Sequence, residues 1–501
     1  MNLFSRFSLV RCLFLALFFS LFSSHLSFAQ PTPAPSPAAT TSAANAAATS
    51  APVALDRGGT LAQKGQSALG LIVFVSLCFG IGQLRNRQLK PLLRTVLWGM
   101  ALQFIFAILV LNTPGFFYAI NEGVNALLNF SREGAKFLFG NLVDNNVPVG
   151  APPAGAETMG PILKPTSYAA TGAFFAFNVL PTIIFFSALS TLMYYLGLLQ
   201  PIVRGLSIIM QRTMGTSGSE TLSGVANIFL GQTEAPLFVR PFISRATNSE
   251  LMAIMTGGFS NIASGVLAAY VSMLAGFEPQ IAGHLLSASI ISAPAALVVA
   301  KLLIPESETS ETMGNTRLHV ENNDANVVDS AARGAIEGLQ LALNVGAMLL
   351  VFIALVAMLN AFLGLIGGLF GFPTLSLQLI LGYLLAPVAW LLGVPWENCA
   401  KVGSLIGVKT VLNEFVAYLQ LATSMGAAKT AGQTFLDPRS FLLAAYALCG
   451  FANFSSIAIQ IGGIGSMAPE RRGDLSRLGL ISMFGGAVAS CMTACVVGIL
   501  L

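Results

Sequence analysis

Long apolar runs alternate with short polar punctuation along most of the chain. Runs long enough to cross a bilayer fall at 66–84, 94–113, 171–198, 250–276, 281–304, 336–365, 440–464 and 478–500, predicting eight membrane-spanning helices. Two further stretches, 219–243 and 398–424, are apolar but interrupted by polar residues. They suit re-entrant hairpins, because non-helical backbone at membrane depth is tolerated only where protein or a wet cavity surrounds it. Residues 120–142 carry a mixed face that predicts an interfacial helix. The expected fold is an all-α polytopic membrane protein: eight transmembrane helices plus two re-entrant hairpins.

Each hairpin is followed by the same element. GFSNIAS at 258–264 and GFANFSS at 450–456 match at Gly, Phe, Asn and the final Ser. Each predicts a helix broken at Gly-Phe-x-Asn. Three spans separate the hairpins, and an odd number sets them on opposite membrane faces. Inverted repeats with interrupted helices meeting near the midplane are the pattern of secondary transporters.

Composition narrows the class further. The chain is 55% hydrophobic and 9% charged, against about 25% charged in soluble domains. Its net charge of +4 is spread over loop ends and gives no reason to expect nucleic acid. The six cysteines lie in or beside apolar runs without metal-ligand spacing, and there are three histidines, so no resident cofactor is expected. Arg6 and Arg11 precede an apolar run, and Ser27-Phe28-Ala29 resembles a small-x-small cleavage site. Residues 1–29 are therefore read as a signal peptide, with an uncleaved extra helix as the alternative. Residues 30–64 follow as a disordered tail rich in Pro, Ala, Ser and Thr.

Positive charge orients the array. Arg85, Arg87, Lys90 and Arg94 follow the first span, Arg204 and Arg212 the third, and Lys301 ends the fifth. Arg471, Arg472 and Arg477 lie between the last two. With an exported N-terminus these loops are cytoplasmic, both termini are extracytoplasmic, and 305–335 is a cytoplasmic polar loop. The expected setting is a bacterial inner membrane.

Each hairpin contains a glutamate. A carboxylate at membrane depth costs roughly 2.5–3.5 kcal/mol even on the lenient insertion scale. In the first island Gln232, Thr233 and Glu234 are consecutive, and Pro236 breaks the helix. An amide that both donates and accepts fits a neutral heterocycle with the same mixture. The second island offers Asn413 and Glu414, and the following broken helix offers Asn453, Ser455 and Ser456. A carboxylate beside amide and hydroxyl groups suits a polyol such as ribose, and the Phe451 ring suits a flat or apolar face. Asn261 and Asn453 also suit helix caps, and the serines also suit bonds to helix carbonyls. Lys409 either neutralises Glu414 or faces the solvated outer surface; Arg240 and Arg245 read as cytoplasmic anchors. A sodium ion wants several oxygen ligands, available near Asn227, Leu230, Asn261 and Ile262, while a titrating glutamate would couple protons instead. An acid/base enzyme built on Glu234 and Glu414 is a competing class without a metal motif or nucleophile elbow to support it. A receptor that binds without transporting is another.

The strings GQTEAPLFVRPF (231–242), GVLAAY (265–270), KTVLNEFVAY (409–418) and GFANFSSIAIQIGGIG (450–465) closely resemble the concentrative nucleoside transporter family. The resemblance spans about 65–500 and looks like the eight-span bacterial form. It implies a homotrimer importing nucleosides such as uridine, cytidine and adenosine by cation symport. It implies an elevator in which a mobile domain carries the solute past a scaffold. On this division 65–204 and 336–365 are scaffold, while 205–304 and 366–501 are the two transport-domain repeats. Gln232 and Thr233 would contact the base, with Glu234 nearby through water and Val266 packed against the ring. Glu414, Asn453 and Ser456 would hold the ribose hydroxyls, and Phe451 would line the pocket. Sodium would lie among Asn227, Leu230, Asn261 and Ile262. Relatives more usually carry a small hydroxyl residue at position 261, so sodium is favoured but proton coupling stays open. Gly231 beside the base-binding glutamine leaves room for purines as well as pyrimidines.

Overall fold

The computed structural model describes residues 58–85, 93–144, 146–149, 167–170, 175–314 and 324–501. The segment expected to be a signal peptide, 1–29, and most of the segment expected to be a tail, 30–64, lie outside the described residues. The first helix, α1 (Leu61–Arg85), starts earlier than expected. Thr60 N donates to Gln63 Oε1 and Gln63 N donates back to Thr60 Oγ1, a capping box that starts the helix within the segment assigned to the tail.

Two helices follow, α2 (Leu93–Leu111) and the amphipathic α3 (Pro114–Phe139), which covers most of the mixed-face segment 120–142 and begins on a proline, whose missing N–H has no helical partner to lose there. A short antiparallel pair, β1 (Asn146–Val149) with β2 (Ser167–Ala170), is a local departure from the helical expectation, Asn146 facing Ala170. The chain continues through α4 (Phe175–Asn178), α5 (Leu180–Tyr195), α6 (Leu199–Met214) and α7 (Gly218–Ala226). After a non-helical stretch come α8 (Arg240–Ile243), α9 (Asn248–Ser260), α10 (Ser264–Leu274) and α11 (Ile281–Leu303). The long α12 (Val327–Leu369) leads to α13 (Leu377–Leu391), α14 (Trp396–Val411), α15 (Glu414–Thr430), α16 (Pro438–Leu448), α17 (Phe454–Met467) and α18 (Arg472–Leu500).

The order α6 to α11 recurs as α13 to α18. In each half a helix precedes a hairpin, the hairpin precedes a broken helix, and a long helix closes the set. The hairpins are α7 with α8, and α14 with α15, at the two predicted places. Seven helices among the described residues are long and apolar enough to cross a membrane. The expected span at 440–464 is divided into α16 and α17 by residues 449–453, which leaves two short helices. The stretch 377–391, to which no element was assigned, is α13, which meets α14 at 114°. The loop expected over 305–335 is shorter, because Asn326 caps α12 by accepting from the amides of Val328 and Asp329.

The core lies where α9, α11 and α18 pack together. In the span formed by α9 and α10, and in α11, 89% of the most apolar window is buried, against 11% in α12. The long helix therefore turns its apolar surface outward, apart from the stripe of Gly334, Gly338 and Ala342 that packs on α5. Small residues bring the core helices together: a Cβ on Gly486 would sit 2.3 Å from Phe259 Cβ.

One end of the first repeat is held by buried charge. Ser217 with Glu220 and Thr247 with Glu250 form capping boxes on α7 and α9. Lys301 at the end of α11 pairs with Glu220 at 2.7 Å and donates to Ser249 at 2.8 Å. Glu250 accepts from Ser217, Ser219 and Ser310 at 2.6–2.7 Å, which straps the segment after α11 over both helix starts. The first hairpin thus hangs from a fixed base.

Gly450, in the second break, has φ +142°, and a Cβ there would lie 2.7 Å from Phe259 O and 2.9 Å from Ser490 Oγ. Gly450→Ala is expected to lower stability by about 1–3 kcal/mol, because it adds backbone strain and a steric clash. Thermal unfolding of the purified variant in detergent checks this; a melting curve matching the parent would contradict the packing of the two breaks.

Candidate functional site

The first hairpin unwinds after Ala226 and stays non-helical to the turn that begins at Ala235. Glu234 closes this turn by accepting from Gly231 N at 3.2 Å. Gln232 is buried, and Thr233 and Glu234 are half-buried. Two glycines make room for them. A Cβ on Gly463 of α17 would lie 2.7 Å from Thr233 Cγ2, and one on Gly258 of α9 would lie 3.0 Å from Gln232 Cβ.

In the second hairpin Asn413 caps α15 by accepting from Val416 N at 2.9 Å, which places Glu414 in the first turn. A carboxylate is stabilised there by the helix dipole. In the second break Asn453 caps α17, accepting from Ser456 N at 2.9 Å and Ser455 Oγ at 2.7 Å. Its Nδ2 donates to Glu414 Oε2 at 2.9 Å, and the Tyr270 hydroxyl donates to Glu414 Oε1 at 3.0 Å. Each carboxylate oxygen keeps a lone pair for a further donor. Tyr270 is itself fixed by stacking on Tyr418, with centroids 4.3 Å apart.

The first hairpin is joined to the second broken helix. Gln232 Nε2 donates to Ser456 Oγ at 3.3 Å. Gln232, Ser456, Asn453 and Glu414 therefore form one connected set across residues distant in sequence. Val266 is buried on α10, and Phe451 is half-buried, its carbonyl accepting from Asn453 N at 2.9 Å. Glu234 bonds within its own turn rather than to Glu414. Lys409 does not face a solvated surface. It is buried and donates to Ala447 O at 2.9 Å, satisfying a carbonyl at the C-terminal end of α16.

Sequence reasoning missed two residues. Tyr270 ends the apolar string GVLAAY and gave no sign beyond a hydroxyl in an oily helix. Gln460 follows Ser456 by four positions, on the same helix face, and that spacing was the available signal. Its Nε2 donates to Gln232 Oε1 and to Met255 O, both at 3.1 Å.

The four residues expected to hold a cation divide in their behaviour. Asn227 Oδ1 is buried and accepts no hydrogen bond, while its Nδ2 donates to Ser223 O at 3.2 Å. Such an orphaned oxygen suits a hard cation. Asn261 instead accepts a short bond from the Ser292 hydroxyl. Leu230 and Ile262 lie in the two non-helical segments, where backbone carbonyls are not committed to a helix ladder. Among the described residues no cluster of His, Cys, Asp or Glu could hold a metal.

Three family models cover most of this architecture: Na+ dependent nucleoside transporter N-terminus over 69–142, nucleoside recognition (Gate) over 176–277, and Na+ dependent nucleoside transporter C-terminus over 284–498. The transporter YutK of Bacillus subtilis is 39% identical over 86% of this chain and 98% of its own length. The chain belongs to the Na+-dependent, concentrative nucleoside transporter family. Mouse solute carrier family 28 member 3 and mouse sodium/nucleoside cotransporter 1 are each 39% identical, over 88% and 87% of this chain. The chain spans only 60% and 63% of their lengths. The inward-facing, substrate-bound structure of CNTnw is 38% identical, with TM-score 0.74 over 87% of this chain and 97% of that one. An outward-facing CNTnw variant scores 0.76 with 39% identity over the same shares. Overall likeness therefore does not single out one conformational state. The relatives in this nucleoside transporter family are transporters, not enzymes, which removes the acid/base class.

Because Tyr270 and Asn453 engage different oxygens of one buried carboxylate, each is expected to matter before any solute binds. Tyr270→Phe should cost about 1.5–3 kcal/mol, the range for a hydrogen bond to a charged group. Denaturation in detergent measures it, and a loss below about 0.5 kcal/mol would remove Tyr270 from the site.

Proposed function

We propose that the protein is a cation-coupled secondary active symporter that imports nucleosides across a bacterial inner membrane. The observation that carries this is the bonded set running from Gln232 in the first hairpin to Glu414 in the second. It brings an amide, hydroxyls and a carboxylate into one buried region, as a heterocycle joined to a polyol requires. Gln232 and Thr233 face the base, Glu234 lies nearby, and Val266 packs against the ring. Glu414, Asn453 and Ser456 take the ribose hydroxyls, with Phe451 lining the pocket. The free lone pairs on Glu414 are suited to ribose hydroxyl donors, since an ionised carboxylate only accepts.

Sodium is the favoured coupling ion. Its supports are the orphaned Asn227 Oδ1, the uncommitted carbonyls of Leu230 and Ile262, and the amide oxygen of Asn261. These are neutral oxygens, which suit a monovalent cation carried as cargo. Transport is of the elevator type, with both hairpins and both broken helices moving as one body. The scaffold is centred on α5 and α12, whose mutual packing stands apart from the core of α9, α11 and α18. The outward apolar face of α12 suits lipid and the contacts of a homotrimer. Helices α1 and α2, expected in the scaffold, pack on α11 and α18 and so lie against the moving body; Ser67 of α1 donates to Leu392 O at 2.7 Å.

Uptake of labelled uridine into proteoliposomes, under a sodium or a proton gradient imposed separately, tests this function. Accumulation under sodium alone is expected. Accumulation under protons alone would move coupling to a glutamate, and binding without accumulation would indicate a receptor. Glu414→Gln, which keeps the size and removes the charge, should lower uptake at least about tenfold; wild-type rates would refute its role.

A further inference from the structure

Gln460 is fully buried on α17, and its amide has an orientation that the main chain dictates. Amide nitrogen and oxygen have nearly the same shape, so orientation must be derived from hydrogen-bond partners. Here one partner is unambiguous. Gln460 lies 3.1 Å from the backbone carbonyl of Met255 on α9, and a carbonyl only accepts. The nitrogen of Gln460 must therefore face α9. The second hydrogen of that nitrogen points at Gln232, 3.1 Å away, which must answer with its oxygen. The NH2 group of Gln232 is thereby turned the other way, toward Ser456 Oγ at 3.3 Å.

Packing holds the pair in register. A Cβ on Gly258 would lie 2.6 Å from Gln460 Nε2 and 3.0 Å from Gln232 Cβ, so the glycine leaves room for both amides against α9. The ribose half of the site has its own anchors, because Asn453 fixes Ser456 N and Glu414 independently of Gln460.

We propose that Gln460 is a positioning residue for base selectivity: it locks Gln232 so that only N–H donors face the ligand. The base recognised there must then offer an acceptor, a carbonyl oxygen or an unprotonated ring nitrogen. This rests on the assignment of Gln232 as a base contact. Without Gln460 the Gln232 amide is free to turn over and present its oxygen, which admits donor edges such as an exocyclic amino group.

The test is competition against labelled uridine uptake in proteoliposomes by uridine, cytidine, adenosine and 2′-deoxyuridine. Gln460→Met keeps an unbranched side chain of similar length and removes the donor. The affinity ratio between uridine and cytidine should change about 3- to 10-fold, the span of a lost neutral hydrogen bond. The ratio of uridine to 2′-deoxyuridine should stay within about twofold, because the Asn453 to Glu414 bond is untouched and the Ser456 hydroxyl can donate to a turned Gln232 amide as readily as it accepts from it. In a Gln232→Ala background Gln460→Met should add no change to the base ratio, since it acts through that amide. Gly258→Ala perturbs the same pair from α9 and should shift the base ratio in the same direction, which decides the matter if Gln460→Met does not fold. An unchanged base ratio, equal losses in both ratios, or an undiminished effect without Gln232 would each overturn the proposal. A parent protein that takes up nucleosides while Gln460→Met keeps its base ratio overturns this positioning role alone. A parent that binds no nucleoside overturns the site assignment and the positioning role together.

Discussion

Breaking a helix inside an apolar bundle frees backbone groups that must find partners in protein, and the site forms where that requirement is met. The second half shows this most clearly. Residues 449–453 leave the helix, and Asn453 repairs the break by accepting from Ser456 N. The same asparagine then has its amide nitrogen free to hold Glu414. Lys409 answers the opposite end of the break by donating to Ala447 O. Cap, carboxylate and ammonium are thus consequences of one interruption. Polar residues that would be costly in an intact span become necessary in a broken one.

The two breaks are not mirror copies, although their sequences match. In the first, α9 runs through Ser260 and Asn261 is the first extended residue, bonded to Ser292. In the second, α16 ends before Cys449 and the equivalent asparagine begins the next helix. The difference follows from local chemistry. Gly450 adopts φ +142°, which lets the chain turn early, while Gly258 remains helical and gives its space to Gln232 and Gln460. One asparagine therefore faces the second hairpin, and the other lies against α11 near the cation residues.

Much of the architecture was legible in the sequence because hydrophobic length and polar interruption are strong signals at membrane depth. Most of the long apolar helices, the two interrupted stretches and an amphipathic helix after the second span were anticipated from residue order, and Asn453 and Glu414 were expected in one site. What escaped was information that only packing holds. The break at 449–453 was expected from its Gly-Phe-x-Asn element, but not that Gly450, at φ +142°, turns the chain earlier than in the first break. Helix α13 carries no polar marker to separate it from its surroundings. Tyr270 and Gln460 meet Glu414 and Gln232 through tertiary contacts between residues more than a hundred positions apart, which periodicity cannot see. The bond from Lys409 to Ala447 O escaped because sequence spacing says nothing about a carbonyl on another helix.

The first hairpin also explains how solute and ion can be linked through one segment. Asn227 and Gln232 lie in the same non-helical stretch, whose base is held by Glu220, Lys301 and Glu250 and whose tip meets Ser456 and Gln460. Asn227 carries a buried oxygen that accepts no hydrogen bond, and a Cβ on Gly257 of α9 would lie 3.5 Å from its Nδ2. On the proposed assignment, a cation filling that position fixes the stretch that also aims Gln232. Ordering paid once by the ion is not paid again by the nucleoside, and the favourable coupling is necessarily reciprocal. The hairpin's rigid base and unwound tip therefore suit cotransport better than a uniformly rigid or uniformly loose loop.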